Sequence, residues 1–208
     1  MSVLTVRQGT LAETVWPVAL DASALRRGTR AIILALIGSA LLTVSAKIQV
    51  PFYPVPMTMQ TFVVLTLGMA FGWRLGAATV LLYLAEGAMG LPVLAGTPEK
   101  GIGLAYMLGS TGGYLVGFVL AAALCGWLAE RGWDRSIGTT ALVMLLGTVV
   151  IYVPGLLWLG GLFGWDKPIL AWGFTPFLLG DLTKLALAAL ALPLVWHLVS
   201  KFRGADSR

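Results

Sequence analysis

The sequence predicts an all-α protein: an integral membrane bundle of six transmembrane helices with both termini in the cytoplasm. Of its 208 residues, 58% are hydrophobic and only 11% are charged, and the apolar residues lie in six continuous runs. The mean hydropathy of +0.89 excludes an ordinary soluble domain and a disordered chain. Because the runs do not alternate with polar residues, helices suit them better than the strands of a membrane barrel.

Residues 1–30 precede the first apolar run. They contain several arginines but no apolar core followed by a cleavage site, so we predict a cytoplasmic N-terminal segment rather than a signal peptide. Residues 31–200 form the predicted six-helix domain, and residues 201–208 form a cytoplasmic tail. The spans are expected at 31–49, 57–73, 75–92, 104–129, 137–163 and 174–199.

The distribution of positive charge predicts the orientation. Ten lysines and arginines fall on the side of the N-terminus and three on the other side, and cytoplasmic loops carry the positive excess. Topology thus explains the net charge of +5, and we expect a lipid bilayer but no nucleic acid as partner. The ten are Arg7, Arg26, Arg27, Arg30, Arg74, Arg131, Arg135, Lys201, Arg203 and Arg208, and the three are Lys47, Lys100 and Lys167.

The sequence contains a single cysteine, Cys125, and a single histidine, His197. They exclude a disulfide framework and a zinc, haem or iron–sulfur site built from these residue types. A phosphate-binding loop, a nucleophile elbow and a zinc-protease motif are also missing. We therefore expect no enzyme activity, no catalytic residue, no metal and no cofactor. Such a protein could bind and move a ligand across the membrane. If that movement uses ATP, the ATPase is on another chain.

Small residues recur at every fourth position in two predicted spans, a pattern typical of close helix packing in membranes. In the first span, Ala31, Ala35 and Ser39 fit either internal packing or the docking of a partner protein. In the fourth span we interpret the stripe as internal packing; it comprises Gly109, Gly113, Gly117, Ala121, Cys125 and Ala129.

Asp181 and Lys184 are the strongest candidates for function, because ionisable residues inside a span are costly. Three residues apart on a helix, they share one face, about 10 to 15 Å below the outer surface. Each favours the charged form of the other. The carboxylate suits an N–H donor and the ammonium suits a carboxylate, so the pair predicts a small ligand with both groups. A salt bridge with a purely structural role is the alternative. A third ionisable residue, Glu86, is expected at the membrane interface.

Two outer loops are expected to lie close to Asp181 and Lys184. Residues 51–56 include three prolines and predict a stiff cap. Residues 91–103 form the longest outer connection and have glycines near both ends, which favours a hinge.

Four segments carry a resemblance to a known family. They are AKIQVPFYPVPMTMQTF at 46–62, YLAEGAMGLPV at 83–93, GSTGGYLVGF at 109–118 and GDLTK at 180–184. Together they touch five of the six spans, and the chain resembles the BioY family from about Arg30 to its C-terminus. This family is the biotin-specific substrate-binding (S) component of energy-coupling factor (ECF) transporters.

The resemblance implies a high-affinity biotin-binding subunit in the bacterial inner membrane, which makes residues 31–200 a substrate-binding domain. Its implied partners are biotin, a transmembrane T subunit and two cytoplasmic ATPase subunits. The first-span residues Ala31, Ala35 and Ser39 would dock the T subunit. The alternatives are a membrane scaffold without a ligand, an S component for another small carboxylated vitamin, and a membrane enzyme with Asp181 as base.

The resemblance also assigns roles in the pocket. Asp181 would bind the ureido end of biotin, and Lys184 would face its carboxylate. Some family members have an arginine where this chain has Leu115, so Lys184 would act there alone or with a backbone amide. The other implied pocket residues are Tyr114 with Gly112 and Gly113, whose small size would let the wall approach the fused rings, and Gln60 and Tyr83.

Overall fold

The structure, a computed structural model, describes residues 9–18, 23–50, 53–96 and 102–206, with side chains described as far as 202. These residues are mostly helical, as predicted, and include one two-stranded antiparallel hairpin. The helices are Leu11–Val15 (α1), Ala24–Lys47 (α2), Gln60–Phe71 (α3), Trp73–Ala88 (α4), Leu104–Met107 (α5), Gly112–Ala129 (α6), Ile137–Phe163 (α7), Ile169–Gly173 (α8) and Leu178–Asp206 (α9). The strands are Gln49–Val50 (β1) and Met57–Thr58 (β2), and a 3₁₀ turn covers Thr175–Phe177.

Four helical segments of the described chain are long and apolar enough to cross a membrane. They are α2, α6, α7 and the stretch Ile169–Phe202 that ends in α9. The helices α3 and α4 have 12 and 16 residues. At about 1.5 Å per residue they are shorter than the ~30 Å hydrocarbon core. The protein is therefore a helical membrane protein, while the count of six spans stays a prediction.

Two helix boundaries differ from the predicted ones. The first long helix begins at Ala24 rather than at 31, because the Ser23 side chain caps the N–H of Arg26. The fourth span was expected as one helix over 104–129, but it is broken between α5 and α6. The break contains Gly109, Ser110 and Thr111, which are weaker helix formers than the residues around them.

The helix α6 lies at the centre of the bundle and packs on α7, α3 and α4. Two thirds of its apolar stretch (67%) is buried, against 22–39% in the other three candidate spans. Close approach depends on its glycines: a side chain at Gly117 would meet the backbone of Ile151, and one at Gly126 would meet the backbone of Gly72. The small-residue stripe of the fourth span is therefore internal packing, as interpreted.

One end of the bundle carries most of the described basic residues, and we call it the basic end. There the segment around α1 lies across the helix ends. The Arg30 guanidinium donates to the Ala12 carbonyl at 2.6 Å, and that of Arg135 donates to the Gly9 carbonyl at 3.3 Å. The two bonds attach the segment to α2 and to the connection between α6 and α7.

In that connection, the side chain of Asp134 is fully buried. Its Oδ2 accepts a hydrogen bond from Trp196 Nε1 on α9 at 2.6 Å, and the Arg135 guanidinium lies 4.4 Å from the centre of the Trp196 ring system. Burial raises the pKa of the Asp134 carboxyl above its usual range, and the bond from Trp196 and the charge of Arg135 oppose only part of that rise.

Replacing Asp134 with asparagine is expected to flatten the pH dependence of stability. A raised folded-state pKa means that the folded protein holds the proton more tightly, so wild-type stability falls as pH rises from about 4 through the folded pKa. Asparagine keeps an oxygen for Trp196 but does not ionise. Unfolding midpoints in detergent between pH 4 and pH 8 measure the effect. The exposed Asp166→Asn variant serves as control, and equal pH slopes for wild type and Asp134→Asn would contradict the prediction.

Candidate functional site

A cavity opens at the end of the bundle opposite the basic end. It encloses about 540 Å³ of empty space, including its open mouth. The walls come from the loop before β2 and from α3, α5, α6, α7 and α9, so every long helix except α2 and α4 contributes. The polar residues of its lining are Thr58, Gln60, Thr61, Tyr106, Thr111, Tyr114, Tyr152, Asp181 and Lys184.

Asp181 and Lys184 lie together in this wall, on the shared helix face that their spacing predicts. The Lys184 ammonium donates to Asp181 Oδ1 at 3.1 Å, and the two side chains are only 9% and 12% exposed. The position of Asp181 in the first turn of α9 suits a carboxylate, because the helix dipole is positive there.

Two further side chains hold the pair from other helices. Thr61 Oγ1 on α3 accepts a hydrogen bond from the Lys184 ammonium at 2.8 Å. The Tyr152 hydroxyl on α7 donates to Asp181 Oδ2 at 2.5 Å. An ammonium has three donors and a carboxylate has about four acceptor positions, so each group keeps capacity for a ligand.

Aromatic rings line the cavity beside the pair. The Tyr152 ring meets the rings of Tyr114 and Phe174 edge to face, with centroids 6.1 and 5.0 Å apart. The Tyr114 hydroxyl donates to the Gly173 carbonyl at 2.8 Å. Tyr114 therefore lines the cavity with its polar end fixed by a backbone contact, and its role in ligand binding stays a prediction.

Gln60 also lines the cavity, whereas Tyr83 lies behind it and is not among the lining residues. The Gln60 amide donates to the Tyr83 hydroxyl at 2.7 Å, and that hydroxyl donates to the Val93 carbonyl at 3.0 Å. Tyr83 is fully buried. It supports the wall through Gln60 without lining the cavity, and its expected role in binding stays a prediction.

Gly112 and Gly113 do not face the cavity. A side chain on Gly113 would stand 2.2 Å from the carbonyl oxygen of Pro154. One on Gly112 would stand 2.4 Å from the carbonyl oxygen of Met107 and 3.0 Å from the ring of Trp158. Gly113 thus lets α6 approach α7, and Gly112 permits the tight connection from α5 as well as the contact with Trp158. Neither glycine is among the lining residues, and their implied role as a close wall against the ligand stays a prediction.

The predicted docking stripe on the first helix also faces inward at one position. Ser39 is 2% exposed, and its hydroxyl donates to the Glu86 carboxylate of α4. Ser39 thus contacts α4, and its role in docking a partner stays a prediction, as does the place of Glu86 at the membrane interface. Ala31 and Ala35 are half-buried. The exposed face of α2 carries large apolar residues: Ile32, Ile33, Leu36, Ile37, Leu41 and Val44.

The two outer loops contribute to the same end of the protein. In the proline loop, Val55 and Pro56 line the cavity, and Ser110 donates to the Pro54 carbonyl at 2.6 Å. In the second loop, Ala95 lines the cavity and the Lys47 ammonium donates to the Leu94 carbonyl at 2.7 Å. Residues 97–101 of the predicted hinge over 91–103 lie outside the described residues.

Sequence reasoning missed five polar residues of the lining, which are Thr58, Thr61, Tyr106, Thr111 and Tyr152. Thr61 and Tyr152 hold the charged pair, and the buried Thr111 hydroxyl lies beside Tyr106 without a well-aligned hydrogen bond in the described part of the chain. Isolated hydroxyl groups in apolar helices were the available signal, because such groups seek polar partners inside a membrane protein.

Comparison with known proteins places this geometry in context. Residues 11–201 match the BioY family. A protein of Pyrococcus horikoshii named "Probable biotin transporter BioY" is 38% identical over 73% of this chain and 86% of its own length. The biotin transporter BioY of Thermotoga maritima is 39% identical over 77% of this chain and 92% of its own. The crystal structure of the S component for biotin from an ECF-type ABC transporter superposes with a TM-score of 0.68 at 24% identity, covering 85% of this chain and 95% of that one.

Proposed function

Because this chain belongs to the BioY family, we propose that it is the biotin-binding S component of an ECF-type vitamin transporter. Its cavity captures biotin from the outer side of the membrane, and partner subunits drive import with ATP. The relatives named as biotin transporters and the fold shared with a biotin S component support this function.

The observation that carries the proposal is the Asp181 and Lys184 pair in the cavity wall. Biotin offers a ureido ring with two N–H donors and a carbonyl acceptor, and a carboxylate at the end of a flexible aliphatic chain that can fold back toward the ring and so reach the same pair. Asp181 accepts from a ureido N–H, and Lys184 donates to the carboxylate. Tyr152 and Thr61 hold the two charged groups in place before the ligand arrives, which lowers the entropy lost on binding.

The apolar part of the lining suits the rest of the ligand. The fused rings and the aliphatic chain of biotin pack against side chains such as Tyr114, Phe118 and Ile151. Leu115 also lines the cavity and offers only apolar surface. Because Leu115 offers no positive charge, Lys184 is the cation that receives the carboxylate.

Six membrane spans with both termini in the cytoplasm complete the proposed topology, in the inner membrane of a bacterium. The spans follow α2, α3, α4, α6, α7 and α9, with the short α3 and α4 joined by the tight turn at Gly72. The basic end then faces the cytoplasm and the cavity faces outward, in agreement with the positive-inside rule.

The proposed partners are a transmembrane T subunit and two cytoplasmic ATPase subunits. The exposed apolar face of α2 is a suitable contact for a membrane helix of the T subunit, with Ala31 and Ala35 at its edge. The chain itself binds biotin and supplies no chemistry.

Equilibrium binding of labelled biotin to the purified protein in detergent tests the function. We expect saturable binding that unlabelled biotin displaces and an unrelated vitamin does not. Circular dichroism and a monodisperse elution profile establish that the sample is folded. A folded sample without biotin binding would overturn the proposal and favour a scaffold role.

A further inference from the structure

We propose that Tyr83 is a positioning residue that holds two walls of the cavity with a single hydroxyl group. The inference rests on the proposed function only in taking biotin as the ligand. One wall is Gln60 on α3, and the other is the outer segment, which we define as residues 91–96 after α4.

The Tyr83 hydroxyl both accepts and donates a hydrogen bond. It accepts from the Gln60 amide at 2.7 Å and donates to the Val93 carbonyl at 3.0 Å. The Gln60 carbonyl oxygen accepts in turn from the Thr58 hydroxyl at 3.3 Å. The Gln60 amide, which lines the cavity, is thus oriented from both sides.

The outer segment is held at two neighbouring carbonyls from two different helices. Tyr83 on α4 binds the Val93 carbonyl, and Lys47 at the end of α2 binds the Leu94 carbonyl at 2.7 Å. The next residue, Ala95, lines the cavity. The two side chains therefore fix the backbone immediately before the residue that faces the ligand.

In this arrangement, the time for which a ligand stays bound depends on Tyr83, which does not line the cavity itself. Without the hydroxyl, the Gln60 amide and the Val93 carbonyl both lose a partner inside the protein. Of the two side-chain hydrogen bonds to the outer segment only the one from Lys47 remains, beside the bond from the Leu91 N–H to the Glu86 carbonyl at 3.2 Å and the packing of buried Leu94. A bound ligand would then leave faster, because the wall that encloses it is less constrained. Entry would change little, since the unliganded cavity is open in either case.

The dissociation rate of biotin from Tyr83→Phe tests the inference. Purified protein is loaded with labelled biotin and chased with an excess of unlabelled biotin. We expect dissociation about 3- to 10-fold faster than wild type, the effect of the lost hydrogen bond to the outer segment, with the association rate changed less than about twofold. A merely structural defect would lower the active fraction without changing the dissociation rate of the molecules that bind.

Thr79→Val is the matched control. Thr79 lies on the same helix and is fully buried, but its hydroxyl donates only to the Leu75 carbonyl of its own helix, at 2.7 Å. We expect wild-type dissociation from this variant. Unchanged dissociation from Tyr83→Phe, or an equal change in both variants, would overturn the inference.

Lys47→Met provides a second variant, with a substitution at an exposed side chain that leaves the core intact. It should also speed dissociation, and the Tyr83→Phe/Lys47→Met double variant should exceed the product of the two single effects, because each contact restrains the segment when the other is missing. Double-variant dissociation at or below that product would contradict the shared role.

Hydrogen exchange of the peptide containing residues 91–96 tests positioning without any ligand. Exchange should be faster in Tyr83→Phe than in wild type or Thr79→Val. This measurement separates the two proposals: absence of biotin binding by wild type would overturn the function alone, whereas unchanged exchange would overturn the role of Tyr83 alone.

Discussion

Replacing Lys184 with methionine is expected to weaken biotin binding by 100-fold or more. The change removes the cation that receives the ligand carboxylate and leaves Asp181 in the cavity wall without its ion-pair partner. Losing one partner of a buried, hydrogen-bonded charge pair costs about 2–5 kcal/mol of binding free energy, and ~2.8 kcal/mol corresponds to 100-fold. Equilibrium binding of labelled biotin in detergent measures the loss.

Lys167→Met is the matched control, because Lys167 forms a pair of the same type with Asp166 at 3.0 Å but is half exposed. Exposed pairs contribute about 0–1 kcal/mol, so binding and stability should stay near wild type.

Asp181→Asn should also weaken binding, since it removes the charge that attracts the ureido N–H groups. Wild-type affinity in both Lys184→Met and Asp181→Asn would show that the pair is structural and that the ligand binds elsewhere.

The helical membrane fold was predictable because run length and composition decide it locally. About 20 apolar residues in a row leave the backbone no partner except its own helix. The helix boundaries were less predictable, since helix-capping residues and weak helix formers act over only a few residues. Ser23 extends α2 toward the N-terminus, and residues 109–111 divide the expected fourth span. Hydropathy alone does not predict the number of membrane-spanning helices, because α3 and α4 are both shorter than the hydrocarbon core of the bilayer.

The charged pair was predictable because both residues lie on one helix at a fixed spacing. Its supporting residues were not, because Thr61 and Tyr152 are 123 and 29 residues away from their partners in sequence and meet them only after packing. The same limit applies to the roles expected for Ser39, Gly112 and Gly113. A small residue suits a helix contact and a ligand contact equally well, and the rotation of the helix decides which one it makes.

Gly113 offers the most direct test of that distinction. Replacing it with alanine is expected to destabilise the protein by about 1–3 kcal/mol or more, the usual range for an overpacked core. A Cβ at this position would stand 2.2 Å from the Pro154 carbonyl oxygen and 2.4 Å from Trp158 Cβ. Since the nearest atom belongs to the backbone, α6 and α7 have to move apart. The unfolding midpoint in detergent, with and without biotin, measures the effect.

Gly161→Ala on α7 is the control, because nothing lies within 4 Å of the position that its Cβ would take. Alanine is the better helix former by about 0.8–1 kcal/mol, so this variant should be as stable as wild type or more so. A packing role at Gly113 therefore predicts opposite effects of the same chemical change at two helical glycines. If Gly113→Ala instead kept the wild-type midpoint and lost biotin affinity, the glycine would face the ligand after all, and the helix contact would be the wrong explanation for its small size.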